Sequence, residues 1–258
     1  MSIAENFEII ADEVYEKGKK DEYDKFWDAF QNAENGVPKR TNYNYAFQNG
    51  GFNFDNFYPK YDIVPVGAYG TQMFYNWKVA VGKYVGSLSQ RFKECGVILD
   101  TSQCTNLGLC FAYGGFTEIP TIDLSNLTQA SGQIFAYNYN YLKTIEKIII
   151  SENTVISANW FTEDTGLENL TIEGTIGKSG FNVSACTKLS GASIVSIIEA
   201  LSTTTSGLTV TLSQTAVNNM KFTDYDDEGV ECLHGNEGTY YSWSQLEQSR
   251  TNWTISLV

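Results

Sequence analysis

From Phe111 to Leu189 the apolar positions fall into blocks that repeat. Phe111, Phe135, Phe161 and Phe181 each open a block, at intervals of 24, 26 and 20 residues (135−111, 161−135, 181−161). A short polar turn follows each phenylalanine, and then an apolar run at fixed offsets. These runs are Phe116-x-x-Ile119-x-x-Ile122-x-Leu124, Leu142-x-x-Ile145-x-x-Ile148-x-Ile150 and Leu167-x-x-Leu170-x-Ile172. Alternation at the end of each run predicts one short strand per block, with every second side chain buried. The leading phenylalanine and the first leucine are expected on the opposite wall. A single block cannot bury its own apolar face, so stability must come from stacking on its neighbours. Ile122, Ile148 and Leu170 are expected at equivalent buried positions. The residues between them, Asp123, Ile149 and Thr171, should form an outward row flanked by Thr121, Lys147 and Asn169.

The Leu-x-x-Leu-x-Leu core at this period is the sequence pattern of a leucine-rich-repeat solenoid. Four regions follow: a helical extension at 1–31, an aromatic-rich cap and first irregular repeat at 32–110, repeats at 111–190 and a C-terminal α/β cap at 191–258. In the first, Phe7, Ile10 and Val14, then Tyr23, Phe26, Trp27 and Phe30, form two helical stripes with Gly18 between them. In the second, Tyr43-Asn-Tyr-Ala-Phe47 and Phe52-Asn-Phe54 alternate as short strands. Met73-Phe74 reads as an earlier block opening, 37 residues before Phe111 (111−74), and Val79 to Phe92 is partly helical in pattern. In the cap, Ile194, Ile197, Ile198 and Leu201 predict a helix ended at Ser206-Gly207. Leu208–Leu212 and Trp253–Leu257 predict neighbouring strands, joined by a helix over 244–250, with 220–242 as an insertion.

The strings ILDTSQCTNLGLCF, TIDLSNLTQASGQIF and FNVSACTKL resemble BspA-type leucine-rich repeats. The segments KRTNYNYAFQNGGFNFDNFYPKYDIVP and NWTISLV resemble prophage-encoded members of that group from gut bacteria. The resemblance covers most of the chain. It implies a right-handed solenoid used for binding or particle architecture, and it supplies no catalytic residues. The short block between Phe161 and Phe181 and the 220–242 insertion depart from the pattern.

Composition narrows the partners. Lys+Arg number 17 against 30 Asp+Glu, a net charge of −13, which opposes the phosphate neutralisation on which nucleic-acid affinity depends. No run approaches a membrane span, and the N-terminus shows no secretory signal, so the chain is expected to be cytoplasmic as synthesised, reaching a phage particle or cell surface by another route. The five cysteines, Cys95, Cys104, Cys110, Cys186 and Cys232, include no C-x-x-C pair and are expected to be free thiols.

Candidate chemistry is sparse. The one histidine, His234, lies near Asp224, Asp226, Asp227 and Glu228. Asp224-Tyr-Asp-Asp-Glu-Gly229 matches only the start of a calcium-loop spacing, and Cys232 with His234 lacks an orienting third group. Asp100 and Asp123 are expected to accept backbone N–H groups where strands end. Nucleophile-elbow and phosphate-loop motifs are missing. A non-enzymatic binding or structural protein is therefore expected, with no cofactor and no metal. Its partner would be a protein or glycan meeting Tyr113, Tyr137, Tyr139 and Tyr141, because tyrosine joins contact area to a hydroxyl. The competing reading is a carbohydrate-active or metal-dependent hydrolase, using the aromatic N-terminal segment and the His234 loop.

Overall fold

The computed structural model describes residues 33–34, 37–38, 63–76 and 86–258, of which residues up to 65 are described as backbone only. The expected helices at 1–31 and the strands within 43–54 lie outside these residues. So does the valine-rich stretch before residue 86.

The architecture is mixed α/β, with parallel strands and few helices. No sheet among the described residues closes into a barrel. Two short strands, β1 (Ala33–Glu34) and β2 (Val37–Pro38), form an antiparallel pair. β3 (Ile63–Pro65) pairs in parallel with β5 (Ile98–Asp100). The central sheet runs β4 (Gly86–Ser87), β6 (Phe116–Ile119), β8 (Thr144–Ile150) and β7 (Ile122–Asp123), with β9 (Asn169–Gly174) on the other side of β8; all its pairings are parallel. A second parallel sheet follows: β10 (Asn182–Val183), β11 (Leu208–Leu212) and β15 (Trp253–Leu257). The 220–242 segment forms an antiparallel sheet of its own from β12 (Asp224–Tyr225), β13 (Glu231–His234) and β14 (Thr239–Tyr240).

Behind the central sheet the phenylalanines stack one block upon the next. Ring centroids are 5.4 Å apart for Phe74 and Phe111, 5.9 Å for Phe111 and Phe135, 5.4 Å for Phe135 and Phe161, and 5.6 Å for Phe161 and Phe181. All five rings are buried. The first three pairs are near-parallel, between 9° and 17°, at centroid separations within the range of the offset stacking that aromatic pairs favour. A backbone ladder runs beside the column. Phe74, Phe111 and Phe135 donate their N–H groups to Cys110, Ile134 and Trp160 at 2.9, 2.9 and 3.0 Å. The N–H groups two residues before or after do the same, as in Gln72 to Gly108 and Tyr137 to Thr162. Backbone polar groups of the turns are thus satisfied by the next block.

The register corrects one sequence expectation. Ile122 pairs with Ile148, but Ile148 pairs with Ile172; Leu170 sits opposite Ile145. Two residues separate Ile145 from Ile148 and one separates Leu170 from Ile172, so the register shifts there. The outward row is therefore Asp123, Ile149 and Glu173, with Glu173 where Thr171 was expected. Gly174 ends β9 at φ +97°, where an added Cβ would run into Ile150 O.

Serine begins every helix among the described residues. Ser87, Ser190, Ser213 and Ser242 cap α1 (Leu88–Cys95), α2 (Gly191–Glu199), α3 (Gln214–Asn218) and α4 (Trp243–Gln248), each accepting an N–H from the first turn. Helix α2 ends at Glu199, earlier than Ser206-Gly207, and Leu201 forms a bridge with Ile176. This helix also finishes the central sheet. Leu170 and Ile172 of β9 donate their N–H groups to Ser193 Oγ and Ser196 Oγ at 2.9 and 2.8 Å. Ser193 Oγ in turn donates to Glu168 O at 3.1 Å. Two serines one helical turn apart thus satisfy an edge that another strand would otherwise pair.

The outer antiparallel sheet is tied to the same helix. Glu199 accepts the N–H groups of Asn236 and Glu237 at 2.7 and 2.9 Å and the Tyr240 hydroxyl at 3.0 Å. Buried Arg250 donates to Leu201 O, Glu199 O and the Glu237 carboxylate.

Replacing Ser193 and Ser196 by alanine leaves two strand N–H groups without partners, at about 1–3 kcal/mol each. Urea denaturation of the double variant should show that loss. An unchanged midpoint would mean that α2 does not complete the sheet.

Candidate functional site

The turns that carry the phenylalanines also place a second set of aromatic rings. Two residues after the buried phenylalanine, the turns at Phe74, Phe111, Phe135 and Phe161 have a non-glycine residue in the left-handed region: Asn76, Tyr113, Tyr137 and Glu163, at φ 52°, 58°, 63° and 63°. Two residues before it, Gln72, Leu109 and Gln133 adopt φ 56°, 58° and 59°. Such conformations cost of order 1–3 kcal/mol per residue and persist where the surroundings hold them. Here the inter-block ladder does so. Side chains at equivalent positions consequently leave the turns side by side.

The result is a row of tyrosines. Tyr113 and Tyr137 stack with centroids 4.5 Å apart and planes 11° apart. Tyr75 meets Tyr113 edge-on at 5.4 Å, and Tyr139 meets Tyr137 edge-on at 6.3 Å. Tyr75, Tyr113 and Tyr137 are half-buried, whereas Tyr139 is 44% exposed. Gln133 Nε2 donates to the Tyr137 hydroxyl at 3.3 Å. Desolvation first, and then the neighbouring phenols of Tyr137, Tyr75 and Tyr139, raise the Tyr113 pKa, so this hydroxyl stays protonated at neutral pH.

Of the four tyrosines expected from sequence, the structure brings Tyr113, Tyr137 and Tyr139 into one row. Tyr141 is half-buried in the turn beyond, where its N–H donates to Asn138 O at 3.1 Å. Tyr75 and Gln133 were missed. Tyr75 sits one residue after its phenylalanine, not two, so the repeat gave no signal for it; Gln133 was visible as the partner of Leu109 two residues before the ring. Chemically, Tyr113 and Tyr137 have spent facing ring surfaces on each other. What they can offer a ligand is ring edges and phenol hydroxyls, with Tyr139 as the most accessible ring.

The His234 loop is built differently. His234 Nδ1 lies 3.1 Å from Thr239 Oγ1, its Nε2 lies 3.7 Å from Cys232 Sγ and 3.4 Å from Tyr225 O, and its N–H donates to Asp224 Oδ2 at 3.2 Å. Asp226 Oδ1 accepts the N–H groups of Glu228 and Val230, and Asp226 Oδ2 accepts the Tyr241 hydroxyl at 2.8 Å. These bonds lower the Asp226 pKa, with the Val230 N–H the largest cause. They also commit the carboxylate to shaping its own turn. Desolvation, followed by Asp226 and Asp224, raises the Cys232 pKa, which is opposite to what an activated thiol requires. Among the described residues, no three His, Cys, Asp or Glu side chains gather as a metal site. Asp100 and Asp123 accept the Ser102 and Ser125 N–H groups at 2.9 and 2.8 Å, the strand-end role expected of them.

Comparisons with protein-family models, with curated proteins and with solved structures find no match to this chain. No helix among the described residues is long and apolar enough to cross a membrane.

All five cysteines are free; Cys104, Cys110, Cys186 and Cys232 are buried and Cys95 is half-buried. Burial raises each thiol, that of Cys104 to about 11. A thiol reagent at mildly alkaline pH should modify Cys95 slowly and the other four only after unfolding. Rapid modification of Cys110 or Cys186 in the native protein would contradict the stacked interior.

Proposed function

We propose that this chain is a non-enzymatic recognition or structural protein, built as a right-handed leucine-rich-repeat solenoid of BspA type. Its stacked blocks hold the tyrosine row as the contact face for a protein or glycan ligand, in the setting of a prophage particle or a cell surface. The observation that carries this reading is the row itself. Tyr75, Tyr113 and Tyr137 come from three successive turns and Tyr139 from the same turn as Tyr137; they meet ring to ring and retain access to solvent at Tyr139. Tyrosine provides contact area and a hydroxyl with two side-chain torsions to fix, a combination that suits recognition. Parallel pairing of β6, β8 and β9, and the column of phenylalanines, support the solenoid part of the proposal.

Tyr139→Ser and Tyr137→Ser separate binding from packing. Binding is read on a glycan array and on a panel of bacterial surface proteins. Tyr139→Ser should abolish the strongest wild-type signal while moving stability by no more than about 0.5 kcal/mol, as expected for a surface change. Tyr137→Ser should also lower the melting temperature, because it removes the stack on Tyr113. Loss of stability in both variants with unchanged binding would make the tyrosines packing residues. Hydrolysis of a chromogenic glycoside that disappears in His234→Ala would favour an enzyme instead.

A further inference from the structure

Asp164 is wholly buried, and its Oδ2 has no hydrogen-bond partner. Its Oδ1 accepts the Asn138 N–H at 2.9 Å. One block earlier, Asn138 holds the corresponding place: it follows Phe135 by three residues, as Asp164 follows Phe161. The Asn138 side chain is fully used. Oδ1 accepts the Gly115 N–H at 3.0 Å, and Nδ2 donates to Phe111 O at 2.9 Å and to Phe135 O. The amide nitrogen thus joins the carbonyl of its own turn to that of the preceding one. An ionised carboxylate at Asp164 has nothing to donate there and would hold a buried charge unpaired. A carboxylic acid supplies the missing donor.

We propose that Asp164 is a neutral acid whose single Oδ2–H takes up one of the two donor roles that the Asn138 amide plays a block earlier, donating to a backbone carbonyl of the Phe135 or Phe161 turn, and that its ionisation is a pH switch on the turn bearing Tyr137 and Tyr139. The link to the tyrosines is the Asn138 N–H, which lies between them in sequence and is held by Asp164 Oδ1. The titratable groups that face Asp164 are Glu163 and buried Cys186. Burial pushes the Asp164 pKa well above the usual carboxylate range, the Asn138 N–H opposes this, and the Glu163 charge adds to it. Cys186 is pushed up by burial and by Asp164, so it stays a thiol and brings no competing charge. The sign follows from proton linkage. The native state keeps a proton that the unfolded chain loses near pH ~3.9. The contribution to stability is complete below that pH and falls tenfold in the folding constant for each pH unit until the native pKa is passed. The switch acts whatever the tyrosines bind.

The test is an infrared and exchange experiment on the wild-type chain and on Asp164→Asn. The wild type at neutral pH should show the C=O stretch of a buried protonated carboxylic acid, absent from Asp164→Asn. Raising pH should remove the band in the wild type and, in step, speed amide exchange at Asn138; the variant should show no such step. The ratio of folding constants, variant over wild type, should grow tenfold per pH unit between the two pKa values. Should Asp164→Asn not fold, the carboxyl carbon shift of Asp164 in the isotopically labelled wild type reads its titration directly. No protonated-acid band at neutral pH, or a titration in the ordinary carboxylate range, overturns the proposal.

Discussion

Each turn of this chain depends on the next one for both of its needs. A turn such as that at Phe135 has a bulky ring to bury and a row of N–H groups to satisfy, and neither can be done within the turn. Stacking meets both needs at once: Phe135 lies between Phe111 and Phe161, and its N–H reaches Trp160 O. The spacing that brings the rings into contact is also the spacing of a parallel backbone ladder. The ladder in turn holds Tyr113 and Tyr137 in left-handed conformations that isolated residues disfavour. The candidate surface is therefore a product of the stack. Whatever loosens one turn loosens the row.

An array of this kind needs an end, and the chain makes one with a helix. After β9, α2 offers Ser193 and Ser196 in place of a strand edge, while Glu199 and Arg250 fasten the outer antiparallel sheet to it. The same helix is apolar where Ile194, Ile197 and Ile198 join the core. One element thus closes both the apolar and the polar accounts of the sheet. Polar residues at turn positions have a similar double part. Asn138 and Asp164 bind one turn to another through side chains inside the stack, where a wrong donor or acceptor is costly.

Much of this was legible in the pattern of apolar residues. The phenylalanine interval located the column, and alternation located β8, β11 and β15. Three residues of the tyrosine row could be named because they recur near those rings. Register was less legible. One residue fewer between Leu170 and Ile172 moves Glu173 into the outward row, and a pattern of apolar positions does not say where a ladder absorbs the difference. The sheet-ending serines were hidden because two serines one turn apart on a helix read like any solvent-facing pair of small polar residues. Asp164 was hidden for the opposite reason: an aspartate in a polar turn reads as exposed until the next turn is stacked over it.

The central claim is that the turns and the strands form one cooperative stack. Native-state hydrogen exchange tests it at single residues, because locally opening segments exchange with less free energy than the whole. The amides of Phe111, Phe135 and Tyr137, whose only ladder partners lie one turn away, should exchange with the same free energy as Ile145 and Ile148 in β8. Turn amides that exchange orders of magnitude faster than β8 would show that the turns open independently, and would contradict the account.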